Sequence, residues 1–457
     1  MDSGFGIGGF SKSATEMTTS KLDYWTPLII ENGVKRAYEL ELRPHSNTLN
    51  GPYEFSLQAD NRKFIDMSSL TLHGRMGVRV EDEHLGSVTP SQISGFGKAD
   101  WGLINNFYQS LFSSIIIKIN DTEIGDLAYN SYPYMSYFQT LLGTPSSQSS
   151  NHILSQRGFI KDEAGSLPKP RPQVQEDAYF KRKISFHNKD FIDFCIPIHN
   201  DLCTMEKYLP PNVKIGFTLR RTNDDFVFWN SDTIDPKYKF KIVLDDIHLK
   251  VKIMELHDSV LQNHFNQVKA SGGLNIKYTK NIMKTFTVPA GSVELKQHNL
   301  FFGNNLPNRV YLAFVEQDAF NGSIGKNPFY FEQANMREAC LVVNSLNEPS
   351  PPYRFTPGSH EKELYFALLD NTGTASFENE GINVSFDEFL NGYFILAFDR
   401  SPLRDNGLYN HKPDVGQITV NVKCQSPVSK NFMVICYASY DEKLVFIEDK
   451  VISQSIY

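Results

Sequence analysis

The sequence predicts an all-β protein: two tandem eight-stranded jelly-roll β-sandwiches with a few short helices. Three observations carry that expectation. Apolar and polar residues alternate with a period of two along much of the 457-residue chain, the mark of strands with one wet face. Turn-forming clusters separate these runs at spacings that suit sandwiches rather than βαβ units. Aromatic residues are abundant, with 34 Phe and 21 Tyr, and strands favour them. The runs amount to about sixteen to eighteen candidate strands, enough for two jelly rolls.

The opening stretch, residues 1–20, is rich in Gly, Ser and Thr and reads as a flexible N-terminal arm. It has no basic segment followed by an apolar one, so it does not read as a signal peptide. Residues 21–254 are assigned to the first jelly roll. There "YELELR" sets Tyr38, Leu40 and Leu42 against Glu39, Glu41 and Arg43. "SIIIKIN" is apolar on both faces, with Ile115, Ile117 and Ile119 opposite Ile116. "HLKVKIMEL" sets Leu249, Val251 and Ile253 against Lys250 and Lys252. The Pro- and Ser-rich segment from about 143 to 182 reads as a surface insertion, because strands resume after it.

Helical signals are short. "NNFYQSLF" places Phe107 and Leu111 four apart, and "YPYMSYFQTLLG" stops at Gly143. "SFDEFLNG" carries a capping box, Ser385 with Glu388. "HDSVLQNHFNQVKASGG" aligns Leu261, Phe265 and Val268, with Asp258 as a candidate cap and Gly272–Gly273 as the stop. This last helix, 255–272, is assigned as the linker, and 273–457 as the second jelly roll. There "QITVNVKC" alternates through Ile418, Val420 and Val422. "YFQTLLG" in one half echoes "YFALLDNTG" in the other.

Composition excludes several function classes. The net charge of −7 does not favour wrapping nucleic acid, which needs a basic face. No apolar run is long enough to span a membrane. The five cysteines, Cys195, Cys203, Cys340, Cys424 and Cys436, are odd in number and widely spaced, which points to reduced thiols.

The motifs that suggest chemistry fail on their own terms. "FNGSIGKNPF" ends a glycine-rich turn in Gly-Lys, yet Gly322 and Gly325 are too close for a P-loop and Asn327 replaces its Ser/Thr. Pro328 pushes Asn327 away from helix geometry, and "FYF" reads as a buried strand. Cys195, His199 and Cys203 share a C-x₃-H-x₃-C spacing with Asp201 beside them, but Pro197 marks a strand leading into a turn, and the set lacks the paired spacings of a zinc finger. Asp224–Asp225 and Asp245–Asp246 read as solvated turn acids. Glycosylation triplets occur at Asn120, Asn321 and Asn383. No catalytic, cofactor-binding or metal-binding residue is assigned.

Several segments resemble one family: the double jelly-roll major capsid proteins of adintoviruses and Polinton/Maverick elements, in the wider lineage of virophages, adenoviruses and tailless phages. In the first half these are "NNFYQSLFSSIIIKIN", "YPYMSYFQTLLG", "PIHNDL" and "VKIGFTLRRTNDDFVFW". In the second half "NLFFGNNLPNRVYLAFVEQDAFNGSIGKNPFYFE" is the most specific, followed by "GYFILAFDRSP". The likeness thins over 271–288 and at "YASYDEKL". The resemblance implies a non-enzymatic chain in a virion capsid, assembled inside the infected cell. Three copies would close into a pseudo-hexameric capsomer that tiles an icosahedral shell beside a penton or minor capsid protein, with no cofactor. Two other readings remain open: a tandem β-sandwich that binds or processes glycans, and a domesticated host copy of a capsid protein.

Overall fold

The computed structural model describes residues 33–46, 51–82, 86–89, 101–120, 122–148, 152–170, 177–186, 189–230, 239–375, 381–401, 414–447 and 450–455. The arm expected over 1–20 lies outside them. The first half runs β1 (Val34–Leu42), β2 (Tyr53–Gln58), β3 (Lys63–Asp82), β4 (Gly86–Val88), β5 (Trp101–Leu103), β6 (Phe112–Ile119) and β7 (Thr122–Ile124). Helices α1 (Ser131–Gly143), α2 (His152–Gln156) and α3 (Ala178–Ser185) precede β8 (Ile192–Pro197) and β9 (Lys214–Arg221). Then come α4 (Asp224–Val227), β10 (Phe228–Asn230) and β11 (Lys239–Leu256). Helix α5 (Asp258–Ser271) leads into the second half. That half begins with β12 (Leu274–Val288), β13 (Glu294–Gly303), β14 (Arg309–Glu316), α6 (Gln317–Asn321), β15 (Met336–Val343) and β16 (Leu346–Arg354). It ends with α7 (Glu361–Asn371), α8 (Phe386–Leu390), β17 (Ile395–Asp399), β18 (Gly416–Cys424), β19 (Phe432–Ile447) and β20 (Lys450–Ser455).

Each half packs two antiparallel sheets. In the first they run β1-β11-β3-β8, with β4 beside the end of β3, and β2-β9-β6-β7. In the second they run β12-β19-β14-β17, with β20 beside β19, and β13-β18-β15-β16. Strands β5 and β10 form a separate ribbon. Leaving out β4, β5, β10 and β20, both halves have the same order. One sheet runs first-eighth-third-sixth and the other second-seventh-fourth-fifth, which is the Greek-key winding of a jelly roll. The two echoing stretches fall at the same topological place: α1 and α7 each lie between the fifth and sixth strands of their half.

The alternation seen in the sequence is realised as burial. On β1, Leu42 is buried, Tyr38 and Leu40 pack against the core, and Glu39 and Glu41 face water. Strand β14 lies between β19 and β17, and Val310 to Val315 are buried on both faces. Edge strands are protected by different means. β7 has only three residues. β16 carries Pro349, Pro351 and Pro352, and proline cannot donate to a further strand.

Four local expectations need correction. "NNFYQSLF" is not a helix; only Gln109–Leu111 makes a 3₁₀ turn, because Asn106 adopts φ 54° and Phe112 already starts β6. "FYF" is not a strand. The Asn327 side chain accepts the Phe329 N–H at 2.9 Å and curls the chain, which leaves one bridge between Phe331 and Tyr393. His257, not Asp258, holds the cap position of α5, and Asp258 sits in its first turn. The segment from 143 to 182 is not all superficial. Phe159, Leu167, Tyr179 and Arg182 are buried, because the segment fills the space between the halves. The capping box of α8 and the left-handed Gly272 after α5 are as the sequence suggests.

Phe314 is fully buried in the second barrel. Phe314→Ala is expected to lower unfolding stability by about 3–5 kcal/mol, measured as a lower urea midpoint by circular dichroism.

Candidate functional site

The seam between the two barrels is the most extensively built site in the molecule. Its apolar centre is α1. The first half contributes Tyr134, Tyr137 and Phe138, and the second contributes Phe320, Phe329 and Phe331, all buried. Tyr137 stacks on Phe329 with ring centroids 4.0 Å apart. Tyr134 stacks on Phe320 at 5.5 Å and meets Phe329 edge-on at 5.6 Å. Phe138 stacks on Phe331 at 5.4 Å and Tyr437 at 5.8 Å. Phe226 adds an edge to Phe329 at 6.3 Å. Each such pair contributes about 0.5–1.5 kcal/mol beyond burial of area.

Polar joins surround these rings. Asn130 Nδ2 donates to the Phe320 carbonyl at 3.0 Å. The Asn230 N–H donates to the Ile324 carbonyl at 2.7 Å. Lys161 pairs with Glu388 at 2.6 Å across the seam, and the Tyr393 hydroxyl donates to the Asp162 carbonyl at 2.6 Å. Beneath them Arg182 is fully buried. It donates to Asp162 Oδ1 at 2.6 Å, the Leu103 carbonyl at 2.8 Å and the Ile160 carbonyl at 2.6 Å. Burial raises the Asp162 carboxyl, opposed by Arg182. Removing one member of such a pair strands the other charge in the interior.

Strand β12 ends its sheet, so one of its edges would be open. Two first-half carboxylates cover that edge. Asp201 Oδ2 accepts the Asn281 N–H at 3.0 Å and its Oδ1 accepts Asn281 Nδ2 at 2.8 Å. Two residues on, Asp126 Oδ2 accepts the Met283 N–H at 2.6 Å, while its Oδ1 accepts the Ala128 N–H at 2.9 Å. Thr122 on β7 donates to the Val451 carbonyl of β20, so the last strand also bridges the halves. In the sequence Asp201 stands out only as a neighbour of the C-x₃-H-x₃-C set, and Asp126 not at all. Their partners lie 80 and 157 residues away, beyond the reach of any spacing rule.

The motifs tested in the sequence are not brought together as a reaction centre. Gly322 caps α6 with φ 94°, close against the Phe226 backbone. Lys326 pairs with Glu316 and Asp318, so two carboxylates occupy the position a phosphate would need. His199 is half-buried beside Gln139, its Nδ1 2.9 Å from Oε1, and desolvation of its ring pushes its pKa down to about 4. Burial also pushes the Cys203 thiol up to about 12. Cys195 lies instead beside His73, at 3.5 Å. Among the described residues no group of three or more His, Cys, Asp or Glu is placed to hold a metal ion. Asp224 pairs with Arg221 at 2.8 Å and Asp246 with Arg43. Asn383 is buried, against a glycosylated surface.

Among the described residues, two acids that line a surface concavity are held by local partners. A groove of about 1020 Å³ lies between the α2 region and α7–α8. Its Glu388 is tied to Lys161 and to the Ser385 cap, and its Asp387 to Asn391 at 3.1 Å. The arrangement is built to hold two barrels in fixed relation.

No protein-family model matches the chain. The uncharacterized protein F54H12.2 of Caenorhabditis elegans is 20% identical over 416 residues, covering 89% of this chain and 94% of that one. Among solved structures, a chain of the Sputnik virophage, solved by cryo-EM at 3.5 Å, matches with a TM-score of 0.63. Identity there is 12%, and the match covers 96% of this chain and 92% of that chain. The mavirus major capsid protein matches at 0.55 and 11% identity, over 100% of this chain and 97% of that chain. The fold is the double jelly roll. The Faustovirus major capsid protein also matches, at 0.53 and 8% identity, over 94% and 93% of the two chains. In this double jelly roll the seam described above joins the two barrels.

Phe329, from the second half, meets three rings of the first, Tyr134, Tyr137 and Phe226. Phe329→Ala is expected to cost about 3–5 kcal/mol and to split denaturant unfolding into two transitions, one per barrel, followed by tyrosine fluorescence. Lys326→Ala, which removes only part-exposed ion pairs, is expected to change stability by about 1 kcal/mol or less.

Proposed function

We propose that the chain is a major capsid protein that acts by assembling with copies of itself. The observation that carries this reading is the pair of equivalent jelly rolls fixed side by side in one chain, an architecture shared over nearly full length with the mavirus major capsid protein. Two barrels per chain make three chains a six-barrel ring. A heterologous ring closes when the rotation fits, and a near-hexagonal footprint tiles a shell. Obligate interfaces of this kind bury on the order of 2,000 Å² or more.

The surface supports self-association. Phe302, Leu346 and Val415 are 73%, 72% and 62% exposed. They lie at one end of the β13-β18-β15-β16 sheet, with Phe302 and Leu346 on opposite faces. Phe302 is paired with Gln417, Leu346 with Val343, and Val343 with Ile418. Exposed apolar side chains of this size are available for contact with other copies. The role is architectural, without turnover or a cofactor, and the virion shell is its place. Within this class, the block from Asn299 to Glu332 favours the adintovirus and Polinton type. A penton or minor capsid protein is the expected second partner. The acidic balance of −7 gives no support to specific nucleic-acid binding.

A second reading is a domesticated host copy that keeps the fold without building shells. It is favoured by the nematode relative, of which the match covers 94%.

Light scattering of the purified chain is expected to give three times the chain mass, and negative-stain images pseudo-hexagonal particles or shells. A stable monomer at high concentration overturns the capsomer reading. Trimers that never form larger arrays favour the domesticated copy.

A further inference from the structure

We propose that the junction between the barrels is a proton-controlled clasp. Asp201 and Asp126 hold the free edge of β12 firmly when the Asp201 carboxyl is protonated and more loosely once it ionises.

The placement of the two acids comes first. They hold amides two residues apart on one edge of β12, Asn281 and Met283. Asp201 is 1% exposed. Neither acid forms an ion pair among the described residues. The nearby cations are committed elsewhere: Lys280 to Glu442 at 3.1 Å, and Lys284 to the Leu300 carbonyl at 2.5 Å. Asp201 is therefore dry and Asp126 half-buried, and neither has a bonded counter-charge among the described residues. Like charges so placed resist joint ionisation.

The other titratable groups facing Asp201 do not relieve it. From its own side, His199 is held neutral by burial, with a pKa near 4, and the Cys203 thiol is pushed up to about 12. From β12, Tyr278 donates to Glu442 at 3.1 Å. From β19, Tyr437 accepts from Gln139 at 3.3 Å. Burial pushes the tyrosines up. Glu442 already accepts from Lys280, Tyr278 and Ser453. Burial raises the Asp201 carboxyl to about 7, opposed by the Asn281 bonds and Lys280 and helped by Asp126. Asp126 is also raised by burial, against the bonds from Ala128 and Met283 and the charge of Lys284.

The sign follows from linkage. Between the ordinary carboxylate range and about 7, the closed junction binds a proton that the opened junction releases. Closure is then fully favoured at low pH and weakens as pH rises through that window, by up to about tenfold per pH unit for one proton. Above about 7 the dependence flattens.

Hydrogen-exchange protection factors for residues 278–286, corrected for intrinsic rates, are expected to fall about tenfold per unit between pH 5 and 6.5. Those of β14 are expected to stay constant. In Asp201→Asn the slope is expected to vanish. Infrared spectra of the wild-type chain are expected to show an un-ionised carboxyl band that titrates near neutrality and is missing in Asp201→Asn. A wild-type slope of zero, a variant that keeps the slope, or no such band in the wild type overturns the proposal. The infrared measurement on the wild-type chain stands even if the variant does not fold. All readouts are independent of whether the chain builds shells.

Discussion

The structure depends on one constraint: an eight-stranded sandwich is open at its edges and along its flanks, and each barrel here is covered on one flank by the other. Helix α1 is the instrument. Its aromatic residues are too large and too many to be absorbed by the first barrel alone, so Tyr134, Tyr137 and Phe138 close on Phe320, Phe329 and Phe331 of the second. The result is one continuous core through both halves. A second barrel is therefore part of how the first one buries its apolar surface, and the two are held as a single unit of fixed geometry.

Edges are treated individually. Asp126 and Asp201 occupy the backbone donors of β12, β20 lies against the short β7, and prolines blunt β16. Open strand edges are templates for indiscriminate pairing, so covering them leaves side-chain surfaces as the contacts open to other copies. Phe302, Leu346 and Val415 are among the apolar side chains left exposed on those surfaces. The proposed capsid role, with its repeated contacts between copies, calls for that restriction.

Much of the fold was legible because its signals are local. Alternation on "YELELR" and "QITVNVKC" is a period-two pattern that any half-buried strand must show. The capping box at Ser385 and Glu388 lies within one helical turn. The echo between "YFQTLLG" and "YFALLDNTG" proved to occupy equivalent connections in the two barrels. The failures arose where a distant partner overrode a local pattern. "FYF" reads as a strand, but a side-chain bond from Asn327 and packing against α1 curl it instead. The segment from 143 to 182 reads as surface, yet Arg182 within it finds three acceptors in the interior.

By itself, the sequence determined the strands, the turn positions and the doubling of the barrel, through patterns of neighbouring residues. Only the tertiary structure decided which aromatics form the seam, and that two acids far apart in the chain share one strand edge. It also decided that Lys326 faces carboxylates. Those outcomes turn on contacts between residues as much as 157 positions apart, and burial and partner identity there are set by how the two barrels dock, which no local periodicity encodes.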